Sequence, residues 1–146
     1  KSKVELPGKS LLAIIGDEHD VDRNTVFASH SLHEIDQYFP MRAVRTRRFL
    51  YISNLSYQLP YPVSGDVQQS KSWKSIVSNG SNLGHRKMDD FLHRPAEELY
   101  DLIQDPEQIN NIASDPAYEK DLKTMREQLR EFREKTNDPW LPHTDF

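Results

Sequence analysis

Apolar and polar positions change period along this chain, and the changes mark its elements. From Asp115 onward, Tyr118, Leu122, Met125, Leu129 and Phe132 form an apolar stripe, with Glu127, Arg130, Glu131 and Glu134 between them. That spacing predicts an amphipathic helix. Asp115 and Pro116 suit its start, and it should end near Asn137 because Pro139 cannot continue it. Upstream, Met41 to Thr46 and Phe49 to Ser53 predict a hairpin with its turn at Thr46-Arg47-Arg48. The first arm sets Val44 against Arg45, and the second is the more apolar Phe49-Leu50-Tyr51-Ile52. Thr25 to His30 predicts a further strand.

The stretch Glu97 to Ile112 predicts a short strand, a tight turn and a capped helix. Leu99, Tyr100 and Leu102 supply strand-compatible bulk; Asp105 suits an N-cap, Pro106 the first helical position, and Gln108 a capping box. Gln58 to Arg94 carries Pro60, Pro62, Gly65, Gly80, Gly84 and many serines, so it predicts a long irregular loop. Trp73, Ile76 and Val77 suggest a short helix pinning that loop, which at such length serves function or covers a partner surface. At the N-terminus, Ser10 caps a brief helix that Gly16 ends, and Asp17 to Asn24 is an acidic connector. Residues 1–24 thus read as a linker with a short helix, and 25–146 as one domain. The fold class is α+β: a short antiparallel sheet packed by a long C-terminal amphipathic helix.

Composition narrows the function classes. The 146 residues suffice for one domain with a modest core. At 36% apolar and 29% charged the chain is polar, as expected if part of its surface packs on something else or if loops are long. A net charge of −4 argues against a general nucleic-acid binder. No apolar run approaches membrane-spanning length. The absence of cysteine removes disulfides, cysteine nucleophiles and thiolate metal sites, and leaves the compartment open. Asn54-Leu55-Ser56 and Asn79-Gly80-Ser81 are glycosylation sequons, a pattern that also arises by chance. Lys1 opens no signal-peptide pattern, and the chain reads as starting within a longer sequence.

Few residues offer chemistry. Gly8-Lys9-Ser10 resembles the end of a phosphate-binding loop, but position 3 is Lys3 where that motif needs glycine, and no strand precedes it. His30-Ser31-Leu32-His33-Glu34 groups imidazoles with a carboxylate, a set that binds metal or moves protons. No third and fourth ligands lie nearby, so a polar loop after a strand is the favoured reading. Arg42, Arg45, Arg47 and Arg48 interleave with Phe49 and Tyr51. Guanidinium grips paired oxyanion oxygens, which suits sulfated sugar; single-stranded nucleic acid is the other partner class for such a cluster. For Arg47 and Arg48 a solvated hairpin face is favoured, and for Arg42 an ion pair at a domain interface.

Taken together, these residues resemble the sulfatase family. Glu97-Glu98-Leu99-Tyr100-Asp101-Leu102 with Asp105-Pro106-Glu107 and Asn111-Ile112-Ala113 is similar to a family segment near the C-terminus, in the smaller of two domains. Leu6-Pro7-Gly8-Lys9-Ser10-Leu11-Leu12 resembles the linker entering that domain. His33, Glu34, Tyr38, Pro40, Met41 and Arg42, with Asp138-Pro139-Trp140, narrow the resemblance towards heparan N-sulfatases. Position 32 departs from it, being Leu32 where histidine is expected, and Val63 to Arg94 shows little match.

The resemblance implies a C-terminal subdomain that completes the substrate cleft of an enzyme cleaving sulfate esters or sulfamates of glycosaminoglycan sugars. It implies formylglycine and calcium in a catalytic domain that this chain lacks, and inactivity of the chain alone. His33 is then the residue expected to reach substrate, with Glu34 and Arg42 at the domain interface. Ser114-Asp115-Pro116-Ala117 is not the family's activated motif, because Tyr118 stands where arginine is required. Trp140 is expected to pack back on the fold. Catalytic residues and metal ligands are expected to be none in this chain, and a periplasmic, secreted or lysosomal location is suggested. Two non-enzymatic readings stand beside it: a sulfated-polysaccharide module using the arginines, and an oligomerisation domain, such as a homodimer, joined through exposed sheet.

Overall fold

Period-two alternation in the central strands sorts side chains onto two faces with different coverings. The computed structural model describes residues 8, 10–16, 23–34, 37–80 and 82–141. Much of the linker match, the acidic residues at 17–22, Asp36, Ser81 and Pro142 lie outside the described residues.

Strands β1 (Val26–His33), β2 (Gln37–Arg45), β3 (Phe49–Asn54) and β4 (Glu97–Asp101) form one antiparallel sheet in that order. Its α+β architecture is the one expected. In register, Val44 pairs with Tyr51 and Tyr51 with Leu99, so these three share a face. Helix α4 (Glu119–Lys135) covers that face with Leu122, Met125 and Leu129, and Phe49 completes the core. Burying each such side chain stabilises by about 1.5–3 kcal/mol before entropy is counted. Phe27 of β1 stacks on Phe132 at 4.1 Å, and Tyr118 meets Phe49 edge-on at 6.1 Å. The Asp115 carboxylate accepts from the Ala117 N–H, and a 3₁₀ turn (Pro116–Tyr118) leads into α4.

The hairpin turn falls where expected, and Thr46 explains why it needs neither Gly nor Asn. Its Oγ1 accepts from the N–H groups of Arg48 (3.3 Å) and Phe49 (2.9 Å). Ser10 likewise caps a 3₁₀ turn at Leu11–Ile14.

The other face is covered by the insertion between β3 and β4. It carries short helices α1 (Gly65–Gln69), α2 (Lys71–Asn79) and α3 (Met88–Leu92) where a single short helix was expected. Ser70 caps α2 by accepting from the Trp73 N–H, and Gly80 at φ 60° closes it. Tyr61 is the wedge between insertion and sheet, edge-on to Phe39 at 5.1 Å and to Phe91 at 5.4 Å. The buried Glu98 carboxylate receives Arg94 through two bonds (2.8 and 3.0 Å), the Asn54 amide (2.7 Å) and the Tyr100 hydroxyl. This network clamps the two ends of the insertion together.

One expectation fails. No helix follows Asp105: residues 102–115 run as turns and irregular chain. Gln108 is left-handed at φ 56°, which breaks any helical run. The Asp105 side chain accepts from the Asn110 N–H at 2.8 Å. Asn111 accepts from the N–H groups of Leu99 (2.9 Å) and Ala113 (3.0 Å) and donates to the Glu97 carbonyl (3.0 Å). Side-chain bonds to backbone outcompete the helix here, and they finish the edge of β4.

Candidate functional site

Arg42 points to the α4 face, level with the end of that helix. Its Nε and Nη2 donate to Asp138 at 2.8 and 3.0 Å, and its Nη1 reaches the carbonyl of His30 at 2.8 Å. A bulge between His30 and Leu32 brings Ser31 Oγ to 3.2 Å from the same nitrogen. Asp138 also accepts from Arg133 Nε at 2.7 Å and the Trp140 N–H at 3.0 Å. Burial alone would raise the Asp138 pKa. The bonds from Arg42, Trp140 and Arg133 outweigh it and hold the carboxyl far below the usual carboxylate range. The Arg42 guanidinium lies 4.9 Å from the Trp140 ring centre, and Trp140 Nε1 donates to the Tyr38 hydroxyl at 3.0 Å. Trp140 packs back as expected. The ion pair of Arg42 is made with Asp138 of the same chain, both side chains nearly inaccessible to solvent.

His33 and Glu34 end β1 and open the turn to β2. His33 pairs in register with Gln37, which places both on the insertion face. Glu34 adopts φ 57° and accepts from the Gln37 amide at 3.2 Å. His33 lies close enough to Asp66, at the start of α1, to act on that carboxylate. Asp66 is held low first by the Ser64 hydroxyl, then by the Val67 N–H, with His33 a minor contributor. The β1–β2 turn and the insertion therefore meet. Beside this meeting point lies an open cleft of about 550 Å³ whose lining includes Gln37, Tyr61, Ser64, Trp73, Arg86 and Phe91.

The remaining arginines do not gather into one surface. Arg48 pairs with Asp101 at 2.9 Å and lies over the Phe49 ring at 4.6 Å; Arg47 donates to Asn24 at 2.8 Å. Arg45 and Arg42 alternate along β2, so they leave the sheet on opposite faces.

The chain is 32% identical over 142 residues to the N-sulphoglucosamine sulphohydrolase of Homo sapiens, covering 94% of this chain and 28% of that protein. An ulvan-active sulfatase of Formosa agariphila matches at 28% identity over 134 residues, 88% of this chain and 21% of that one. Over nearly its whole length the chain is similar to sulfatases. It spans roughly a quarter of the length of these sulfatase relatives. The solved structure of a 2-O GAG sulfatase has the same fold (TM-score 0.59, 21% identity), covering 96% of this chain and 22% of that one. A candidate sulfatase structure from Bacteroides thetaiotaomicron aligns with the same values. No protein-family model matches the chain.

The sulfatase resemblance brings calcium and formylglycine with it, and the described residues fit neither. Among the described residues no group of three His, Cys, Asp or Glu side chains is placed to hold a metal ion. Ser114 sits exposed in the turn before α4, and Tyr118 packs on Phe49. The sequons separate clearly. Asn54 is fully buried, donating to the Pro95 carbonyl and Glu98, so the folded chain does not present it for glycosylation. Asn79 is exposed at the end of α2. Among the described residues no helix is long and apolar enough to cross a membrane. Sequence reasoning missed that Tyr61, Trp73 and Phe91 line one cleft and that Asp138 is the partner of Arg42. The signal available for the cleft was the presence of Tyr61, Trp73 and Phe91 in an insertion without regular period.

Proposed function

We propose that residues 25–146 form the C-terminal domain of a sulfatase, entered through 1–24, which completes a cleft for a sulfated sugar. The observation that carries this reading is similarity over nearly the whole chain to relatives several times longer. The relatives' names support a polysaccharide substrate class: one is a sulphoglucosamine sulphohydrolase, another is ulvan-active. A glycosaminoglycan sugar is the narrower reading. Formylglycine and calcium belong to a catalytic domain elsewhere in the parent chain.

In this reading His33 reaches the substrate. It is exposed at a strand end beside Asp66, next to the cleft, where an imidazole can donate to or accept from a sugar oxygen. Glu34 braces the domain interface, its turn held by Gln37. Arg42 acts on that interface at one remove, by fixing Trp140 and Asp138. Exposed Leu11, Leu12, Ile15 and Val26 supply apolar surface for the rest of the parent. The open edge of β1 leaves pairing with a second copy as the alternative contact. A polysaccharide module built on the arginine cluster finds less support, since Arg42 is buried and the others diverge.

The test is hydrolysis of an aryl sulfate by the purified chain and by its full-length parent, with and without calcium. The parent should turn over and the chain, with its helix signal intact, should not. Robust turnover by the chain alone would overturn the proposal.

A further inference from the structure

The cleft between the β1–β2 turn and the insertion has a lining that is neither core nor ordinary surface. Phe91 stands edge-on to both Tyr61, at 5.4 Å, and Trp73, at 6.4 Å, which ties the three rings together through Phe91. Arg94 lies on Tyr61 at 5.6 Å, tying that ring to the Glu98 clamp. Two planar side chains line the same cleft: the Gln37 amide, nearly buried, and the Arg86 guanidinium, whose Nη2 donates to the Gln108 carbonyl. That bond uses one of the fork's five donors. Among the described residues lining the cleft Arg86 is the charged one, with the Glu34 and Asp66 carboxylates held at the rim by Gln37 and Ser64. The space, about 550 Å³, is within the range of small-molecule sites.

Aromatic faces, a fixed amide and a single guanidinium are the groups that hold a sugar ring carrying an anionic substituent. Ring C–H groups pack on the aromatics, hydroxyls meet the amide, and sulfate or carboxylate pairs with the fork. We propose that this cleft binds an anionic pyranose of the polysaccharide, adjacent to the residue whose sulfate is removed. The inference rests on the sulfatase reading and on His33 at the cleft's rim, and it deepens that reading into a preference for chains over single sugars. Charge complementarity and continuity with the His33 turn favour saccharide over an apolar peptide from elsewhere in the parent.

The experiment uses the full-length parent with two probes, an aryl sulfate and a heparin-derived tetrasaccharide, and two variants. Trp73→Ala removes a cleft wall. Val67→Asp, at an exposed position in the first turn of α1, places a carboxylate in the mouth without disturbing a core. Each variant should lower kcat/KM for the tetrasaccharide at least about tenfold more than for the aryl sulfate, mainly through KM. Equal losses on both probes, with a lowered Tm, would mean that the cleft is filled by protein and would overturn the inference. An unchanged ratio would overturn it too while leaving the sulfatase reading intact. A parent inert towards aryl sulfate would remove both.

Discussion

The two faces of the sheet are held by different physics. On the α4 face, Val44, Tyr51, Leu99, Leu122, Met125 and Leu129 form a continuous apolar layer, and charge is confined to its margins at Asp138 and Glu97. On the insertion face, the contacts are edge-on aromatics and a buried carboxylate, Glu98, that gathers Arg94, Asn54 and Tyr100. The regular helix packs its apolar stripe onto the sheet, and the hollows on that face, about 480 and 830 Å³, lie along its flanks. An irregular insertion tied down by a few directional bonds leaves a cleft, and the turn carrying His33 opens beside it. The proposed sugar site thus lies on the insertion face, and the main apolar core lies on the other.

Changes at single residues sharpen that contrast. The largest loss should come from Glu98→Ala, which strands the Arg94 guanidinium in a nearly dry environment. Breaking such a buried pair costs about 3–5 kcal/mol, read as a lower urea midpoint. A loss under 1 kcal/mol would mean that the insertion is not clamped by charge. Leu129→Ala should cost about 2–4 kcal/mol through transfer and cavity terms, with no comparable dependence on pH.

The same contrast can be titrated. Glu98, Glu97 and Asp138 all have depressed carboxyl pKa values in the folded chain, where burial opposes the shift and the arginine bonds overcome it. Depressed folded values give a contribution that is complete above the unfolded pKa, near 4, and lost as pH falls below it. The urea midpoint should therefore drop between pH 7 and pH 3. A flat profile would contradict the assigned ion pairs. The smallest effect belongs to Arg130→Ala. Its pair with Glu134 is exposed on α4, so under about 0.5 kcal/mol should be lost.

The same division explains what the sequence made legible. The α4 stripe, its Asp115 start and Pro139 stop, and the hairpin at Thr46 follow local rules of period and capping, and the structure places them where those rules put them. Asp105 and Pro106 obey the same capping rules, yet no helix forms, because Asn111 finds backbone partners across β4 that local spacing does not reveal. Asp138 as partner of Arg42 was equally invisible, since the two lie 96 residues apart. The insertion had no period to read, and its aromatics become a cleft only once Phe39 and Glu98 position them. His33 was singled out by resemblance alone, and nothing in the sequence placed Asp66 beside it.

The most direct test of the division is His33→Ala against Arg130→Ala in the full-length parent, assayed on a sulfated oligosaccharide and on an aryl sulfate. His33→Ala should lower kcat/KM for the oligosaccharide about tenfold or more beyond any change on the aryl sulfate, the scale of one lost hydrogen bond to substrate. Arg130→Ala, on the scaffold face, should alter the ratio of the two substrates by less than about twofold. Indistinguishable ratios for the two variants would contradict a substrate site on the insertion face.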